Sequence, residues 1–212
     1  FESDNETLIQ YRDMFIFSYI SYGLNLADVC RLTYNDIDKK YIELIRQKTA
    51  HNPKTWKIRI LLTDDHKRII EKYGTGKTYV FGVISQNMTE QRKHNTIKQF
   101  THNMNDNLKR IAGKIDIDPK ISSMFARHSF ASIARDAGIP ESTISQCMGH
   151  ARGFGITGQY FSDVPDKMLQ KVAKALLYFN DELSDIEKAI FAKLDDQEQS
   201  KFLNLNTDDR EA

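Results

Sequence analysis

The chain has 212 residues, of which 40 % are hydrophobic and 10 % aromatic, with a formal net charge of +1. This is enough for one domain with a proper core. No apolar run approaches the length of a membrane span and no secretory signal opens the chain, so we expect a cytoplasmic protein without a membrane partner. Cys30 and Cys147 are isolated, which argues against a disulfide framework and a structural zinc site.

The charges are distributed unevenly along the chain. Residues 40–130 contain 18 lysines and arginines against 8 acidic residues, whereas residues 1–39 and 181–212 are acidic. A basic block between acidic ends is what a polyanion-binding face would look like. Solvated helix faces are the alternative, and charge alone leaves both open.

The first part of the chain predicts two helices and a hairpin. Apolar residues recur at helical spacing in LIQYRDMFIFSYI (8–20) and in LADVCRLTYNDI (26–37). From Tyr41 the pattern changes to YIELIRQKT and WKIRILL, which alternate and are joined by an Asn-Pro turn, so they predict a β-hairpin. Arg46 and Lys48 lie two apart on the first predicted strand and should point from one face.

The rest of the chain predicts helices. A helix is predicted over DDHKRIIEKY (64–73), with Thr63 as its N-cap and with Gly74 and Gly76 ending it. Further helices are predicted over residues 90–112, 122–137, 141–149 and 165–178, and an amphipathic helix from Asp181 to about Leu203. The fold class expected is therefore α+β, mainly α-helical, with a small antiparallel β-hairpin at one edge.

Common cofactor and metal motifs are absent from the sequence. GTGKT (74–78) lacks the first glycine of a phosphate loop, because that position is Glu71. The histidines lack the i, i+4 pairing of a zinc helix, and no GxSxG, HExxH or GxGxxG occurs. We therefore expect no metal and no cofactor.

Several remaining residues match what metal-free cleavage of a phosphodiester requires: a nucleophile, cations for the non-bridging oxygens and an acid for the leaving 5′ oxygen. Arg127 has a planar, permanently charged guanidinium whose N–H groups can donate two hydrogen bonds to a phosphate. Gly149 lets the backbone approach closely and aims His150 into a cleft. Tyr160 is a possible nucleophile if cations stabilise its oxyanion. Taken singly, each of these residues is more often structural.

The order of these residues resembles that in the tyrosine recombinases, the phage integrase family. MFARHSFAS (124–132), CMGH (147–150) and GQYF (158–161) are similar to the family's HxxRH box, GH box and nucleophilic tyrosine. SYGLNLADVCRLTYNDID (21–38) resembles its first box, and IRQKT with the returning strand resembles its β-hairpin lysine. The similarity spans about residues 8–178, and the interval from His150 to Tyr160 is one residue longer than usual.

The resemblance implies a site-specific DNA recombinase, an integrase similar to those of conjugative or mobilizable transposons. Tyr160 would attack the scissile phosphate to give a 3′-phosphotyrosyl enzyme, Arg127 and His150 would hold the non-bridging oxygens, and Lys48 would protonate the leaving 5′-hydroxyl. Neither ATP nor metal would be required. His128 is expected to be a packing and orienting residue.

Two positions depart from the family pattern. Asn25 stands at the first-box arginine and Met124 at the histidine of HxxR. Asparagine can donate a hydrogen bond but brings no charge, and methionine can neither transfer a proton nor donate strongly. Our candidate for the missing guanidinium is Arg46, with Arg31 and Arg59 as weaker candidates.

The resemblance also implies partners and domain boundaries. Residues 1–180 would form the catalytic domain and residues 181–212 an acidic tail that docks on a neighbouring protomer; a helix closing its own core is the alternative. Because the chain begins at Phe1, we expect arm-binding and core-binding domains to be missing. The partners would be double-stranded DNA of attachment sites and other protomers of a synaptic tetramer, in the bacterial cytoplasm or nucleoid. The predicted backbone-contacting residues are Arg92, Lys93, Lys98, Lys109 and Arg110.

Other classes of protein remain open at this point. A type IB topoisomerase shares this chemistry, although length and box spacing favour the recombinase. A catalytically impaired DNA-binding relative is motivated by Asn25 and Met124. A helix-turn-helix regulator is the non-enzyme alternative, because ARDAGIPESTISQCMG (134–149) imitates that motif.

Overall fold

The computed structural model of the chain describes residues 3–50, 57–117, 120–150 and 163–178. Within these ranges the α-helices are α1 Glu6–Ile20, α2 Leu26–Arg31, α3 Asp64–Tyr73, α4 Glu90–Lys114, α5 Met124–Asp136, α6 Glu141–Cys147 and α7 Asp166–Tyr178. Strands β1 (Tyr41–Leu44) and β2 (Ile58–Leu61) pair antiparallel, with Ile42 opposite Ile60. The predicted fold class, mainly helical with a small antiparallel hairpin, is confirmed. Of the helices described, none combines the length and hydrophobicity needed to cross a membrane.

Helix α1 is the centre of the core, because α3, α4, α5 and α7 all pack against it. Its Phe17 is fully buried and meets the ring of Phe81 edge to face, with the ring centroids 5.0 Å apart. Just beyond α1, Tyr22 stacks on Phe130 of α5 at 5.6 Å. Burial of such a side chain contributes about 2 kcal/mol or more. These contacts fix α5 against the turn that follows α1.

The first predicted strand is shorter than the alternating pattern suggests. β1 ends at Leu44, and a single 3₁₀ turn over Gln47–Thr49 begins after Arg46. The backbone leaves the ladder because the N–H of Gln47 donates to Oδ1 of Asp28 at 3.0 Å. The prediction that Arg46 and Lys48 share a strand face is therefore wrong: Arg46 is buried and Lys48 is exposed.

The second predicted helix is also interrupted. α2 ends at Arg31, and a 3₁₀ turn, Tyr34–Asp36, follows. Thr33 starts that turn, with its N–H and hydroxyl donating to Oδ2 of Asp36 at 2.8 and 2.6 Å. Such a capping box favours the start of a new helical turn at Thr33 over a continuation of α2. The predicted tail helix beyond Asp181 lies outside the described residues.

Candidate active site

Arg127 lies on α5, and its side chain is turned into the protein. Nη1 donates to the carbonyl oxygen of Gly23 at 2.9 Å, and Nη2 donates to that of Met148 at 2.8 Å. Gly23 has φ of +67°, and a Cβ there would lie 2.6 Å from Cα of Arg127. Only glycine fits at this close approach. The first-box turn therefore contacts the arginine of the second box directly.

Arg46 reaches the same carbonyl from the hairpin side. Its Nη1 donates to the Met148 oxygen at 3.4 Å, and its Nε donates to Oδ2 of Asp28 at 3.1 Å. Asp28 thus holds the Arg46 side chain with one oxygen and the Gln47 backbone with the other. Arg46 is 9 % exposed and Asp28 5 %, so removing either would leave an unpaired buried charge, at a cost of about 3–5 kcal/mol.

His150 completes the cluster just after the C-terminus of α6. Its Nε2 lies 3.0 Å from Nη2 of Arg127 and its Nδ1 lies 3.4 Å from Oγ of Ser145. Because a guanidinium only donates, Nε2 acts as the acceptor and the ring proton is assigned to Nδ1. Partial burial, and then the positive charges of Arg127 and Arg46, lower the pKa of His150. The imidazole is therefore neutral at pH 7, although it is exposed on one side.

The close approach predicted at Gly149 is confirmed. Gly149 has φ of +65°, and a Cβ at this position would lie 2.7 Å from Cδ of Arg46 and 2.6 Å from Cδ1 of Ile58. A larger residue would be strained at this φ and would displace the side chains of Arg46 and Ile58. The glycine before His150 therefore allows Arg46 and His150 to reach the same place.

The cluster carries an excess of positive charge. Asp28 pairs with Arg46, whereas no carboxylate within the described ranges lies at salt-bridge distance from Arg127. Burial, and then the charge of Arg46, lower the pKa of Arg127 to about 10, and Asp28 opposes this. The guanidinium still remains protonated at neutral pH. An unpaired cation beside a neutral imidazole favours the binding of an anion.

The two positions that depart from the family pattern share a cavity of about 170 Å³ beside Arg127. Asn25 caps α2, with Oδ1 accepting from the N–H of Ala27 at 2.9 Å. Met124 begins α5 and is 44 % exposed. Asn25 and Met124 both line the cavity, so the volume lies where the family pattern expects an arginine and a histidine.

Of the remaining predicted site residues, Lys48 and His128 lie in the part of the chain that the structure describes. Lys48 follows Gln47 and is exposed, with no ion pair in the part of the chain that the structure describes. His128 is exposed, and its ring meets Phe125 at a centroid distance of 6.2 Å rather than hydrogen-bonding to Arg127. Tyr160 lies outside the described residues.

The weaker candidates for the missing guanidinium are held elsewhere. Nη2 of Arg31 lies 3.5 Å from Oε2 of Glu90 on α4. Arg59 lies over the ring of Tyr41 at 3.9 Å and forms an ion pair with Asp166 at 3.1 Å. The structure brings Arg46, and neither of these two, to Arg127.

The predicted DNA-contacting residues of α4 differ in their availability. Lys93 is buried, its Nζ donating to Oε1 of Glu90 at 2.6 Å. The other four are exposed: Arg92, Lys98, Lys109 and Arg110. A backbone-contacting role for these four stays a prediction, whereas the ammonium of Lys93 is already engaged.

The sequence reasoning missed two residues of this region. Asp28 lies in the first-box segment, and its hydrogen bonds to Arg46 and to the backbone of Gln47 become visible only in the folded chain. Asn105 of α4 lines the cavity, and no sequence motif marks it. Among the described residues, no group of three histidine, cysteine, aspartate or glutamate side chains has an arrangement that could hold a metal ion.

Two comparisons with known proteins, one with solved structures and one with family models, found a match. The crystal structure of XerA recombinase is similar, with a TM-score of 0.43 and 14 % identity over 81 % of this chain and 61 % of that chain. This chain thus spans less than two thirds of the length of the XerA chain, and no curated protein matches it. Residues 3–165 match the model of the phage integrase family. Because this match covers well over half of the 212 residues, the chain belongs to the phage integrase family.

Proposed function

We propose that the chain is the catalytic domain of a site-specific DNA recombinase that cuts and rejoins DNA through a 3′-phosphotyrosyl intermediate. The observation that carries this proposal is that Arg127 and Arg46 both donate to the carbonyl oxygen of Met148, with His150 in contact with Arg127. Among the described residues, two guanidiniums and one carboxylate meet there, and this balance of charge suits a phosphate diester.

The scissile phosphate would bind at the exposed side of the cluster. A non-bridging oxygen could take over the N–H of Arg127 that now donates to Nε2 of His150. This exchange would leave the Nε2 lone pair free on an imidazole whose pKa is already lowered. His150 would then accept a proton at Nε2 during the reaction, and the protonated Nε2 would donate to a non-bridging oxygen.

The chemical step is a transesterification that conserves the phosphodiester energy. The phenolic oxygen of Tyr160 forms a bond to phosphorus, and the bond from phosphorus to the 5′ oxygen breaks. The phenol proton passes to a base, for which neutral His150 is the candidate, and Lys48 gives a proton to the 5′ oxygen. Attack by a 5′-hydroxyl of the partner strand reverses the step, so no ATP is consumed.

Arg46 is the residue that we assign to the missing first-box guanidinium. Loss of one cationic contact to the transition state would ordinarily cost on the order of 10² to 10³ in rate. Arg46 contacts the same carbonyl as Arg127, whereas Arg31 and Arg59 form ion pairs elsewhere. The site would therefore keep two guanidiniums despite Asn25.

The biological setting extends this proposal. The reaction would integrate or excise a mobile element at double-stranded attachment sites, with several protomers assembled on the DNA. Exposed cations of α4, such as Lys98, would contact phosphates and set position rather than read sequence.

A catalytically impaired DNA-binding relative is the second candidate function, favoured by Asn25 and Met124. The helix-turn-helix regulator has less support. Arg127 and His150, which flank the region that imitates this motif, turn toward one cluster instead of presenting a helix to DNA.

The test is a nicked suicide DNA substrate, from which the short cleaved strand diffuses away and leaves the protein covalently attached. The purified protein should form an adduct that survives denaturing electrophoresis. Tyr160→Phe should form none, whereas Tyr34→Phe, which changes an exposed tyrosine, should behave as wild type. DNA binding without any adduct would support the impaired relative, and an adduct with Tyr160→Phe would show that the nucleophile is another residue.

A further inference from the structure

The cavity beside Arg127 is built from three parts of the chain. The first-box turn contributes Asn25, the middle of α4 contributes Asn105, and the start of α5 contributes Met124. The other lining residues are Gly23, Leu24, Leu26, Thr101, Ser122, Ser123 and Arg127. No acidic side chain is among these residues, so the polar lining consists of amides, hydroxyls and one guanidinium.

The two asparagines of the cavity are oriented in the same way. Oδ1 of Asn25 accepts from the N–H of Ala27 at 2.9 Å, and Oδ1 of Asn105 accepts from the N–H of Ser123 at 2.8 Å. Because a backbone N–H can only donate, each amide must turn its oxygen to the helix start and its NH₂ group away. Within the described ranges, neither Nδ2 has a hydrogen-bond partner in the protein.

A phosphate oxygen that leaves water needs hydrogen-bond donors in place of water molecules, and these amide NH₂ groups are such donors. Each Nδ2 presents donors that are already oriented, so little entropy is lost when an acceptor arrives. Arg127 also lines the cavity and brings a positive charge to this part of the site. Met124 cannot donate, so any donor on that side of the site must come from a neighbouring residue.

We propose that this cavity is a subsite for a non-bridging oxygen of the scissile phosphate, in which the amides of Asn25 and Asn105 donate hydrogen bonds where the family pattern places an arginine and a histidine, while Arg46 supplies the second positive charge. The inference rests on the proposed recombinase function. It adds Asn105, a residue outside the family boxes, to the groups that touch the substrate.

Aspartate substitutions test this subsite, because aspartate has the shape of asparagine and keeps the capping oxygen. In Asn25→Asp and Asn105→Asp the N–H groups of Ala27 and Ser123 remain bonded, and thermal stability should be retained or increased. The donor is replaced by an anion, so the rate of adduct formation should fall about 100-fold or more. Because an added carboxylate also offsets the charge of Arg127, alanine substitution, which removes the amide and adds no charge, separates loss of the donor from the added charge.

Asn95→Asp is the matched control. Asn95 also lies on α4, is exposed, and its Oδ1 accepts from Nε2 of Gln91 at 3.1 Å, so the substitution adds the same charge away from the cavity. It should keep the wild-type rate. If Asn105→Asp and Asn25→Asp also keep that rate, the subsite is wrong while the recombinase function stands; if wild type forms no adduct, the function itself fails.

A second pair of variants covers the case in which Asn105→Asp is unstable. Asn105→Ala should lose about tenfold or more in rate at temperatures where it is folded, since one hydrogen bond to a charged group is lost. Adding Met124→His to Asn105→Ala supplies a new donor from another residue that lines the cavity and should recover part of the rate. No loss with Asn105→Ala, or a loss that Met124→His does not relieve, overturns the role of Asn105.

Discussion

At the level of single residues, one backbone carbonyl organises the site. The oxygen of Met148 accepts from Nη2 of Arg127 at 2.8 Å and from Nη1 of Arg46 at 3.4 Å. Two like charges come together there because Asp28 neutralises Arg46. His150 adjoins this pair, so its protonation depends on both guanidiniums.

Arg46→Gln should raise the pKa of His150. The charge of Arg46 is one of the causes that lower this pKa, and removing it makes protonation of the imidazole easier. The pKa can be followed by NMR titration of the His150 ring protons. Arg31→Gln, which changes an arginine paired with Glu90, should leave the titration unchanged. An unchanged or lower pKa in Arg46→Gln would contradict the geometry of the cluster.

The residues of the site could be predicted from the sequence only where motif spacing is informative. Arg127 and His150 were identified by box order, and the structure brings them into contact. Arg46 and Lys48 do not share the strand face that the alternating pattern predicts, yet Arg46 lies in the cluster because Asp28 binds it. Asn105 could not be predicted, since only packing of α4 brings it to the site.

At the level of elements, α3 is attached to the end of α1 by a buried histidine. His66 is fully buried, with Nε2 3.1 Å from Oγ of Ser21 and Nδ1 accepting from the N–H of Thr63 at 3.2 Å. Burial lowers the pKa of His66 to about 3. The ring is therefore neutral in the folded protein and protonates near its ordinary pKa, about 6.5, in the unfolded chain.

This difference predicts a pH-dependent stability. The contribution of His66 is complete above pH 6.5 and is lost as the pH falls toward 3, because the unfolded chain binds the proton first. Between pH 6.5 and pH 5, His66 should account for about 2 kcal/mol of the loss in the free energy of unfolding. Urea unfolding at the two pH values measures this loss, which should be smaller in His66→Gln. An equal loss in both proteins would contradict the assignment.

Element boundaries were predictable where caps are local and not where tertiary contacts decide. α3 runs over Asp64–Tyr73 between Thr63 and Gly74, as its capping residues predict. β1 stops at Leu44 although the alternation continues, because Asp28 on α2 binds the next stretch of backbone. Strand propensity could not reveal a partner that lies in another part of the chain.

At the level of the whole molecule, the fold class follows from hydrophobic periodicity, whereas the site depends on how the boxes are assembled. The first-box turn, the hairpin and the α5 to α6 region meet at Gly23, Arg46 and Met148. The basic block of residues 40–130 contributes both Arg46 and the exposed cations of α4. The net charge of +1 is small because the acidic residues at both ends of the chain offset this basic block.

The central claim is that Arg46 supplies the second guanidinium of this variant site. The most direct test compares adduct formation by Arg46→Ala on ordinary DNA and on DNA with a methylphosphonate at the scissile position, where a methyl group replaces one charged oxygen. On ordinary DNA the rate should fall by about 10² to 10³ relative to wild type. On the methylphosphonate the fall should be much smaller, since the charge that Arg46 stabilises is absent, and Arg31→Ala should affect neither substrate. An equal loss on both substrates would mean that Arg46 acts only through the fold, which would contradict this account.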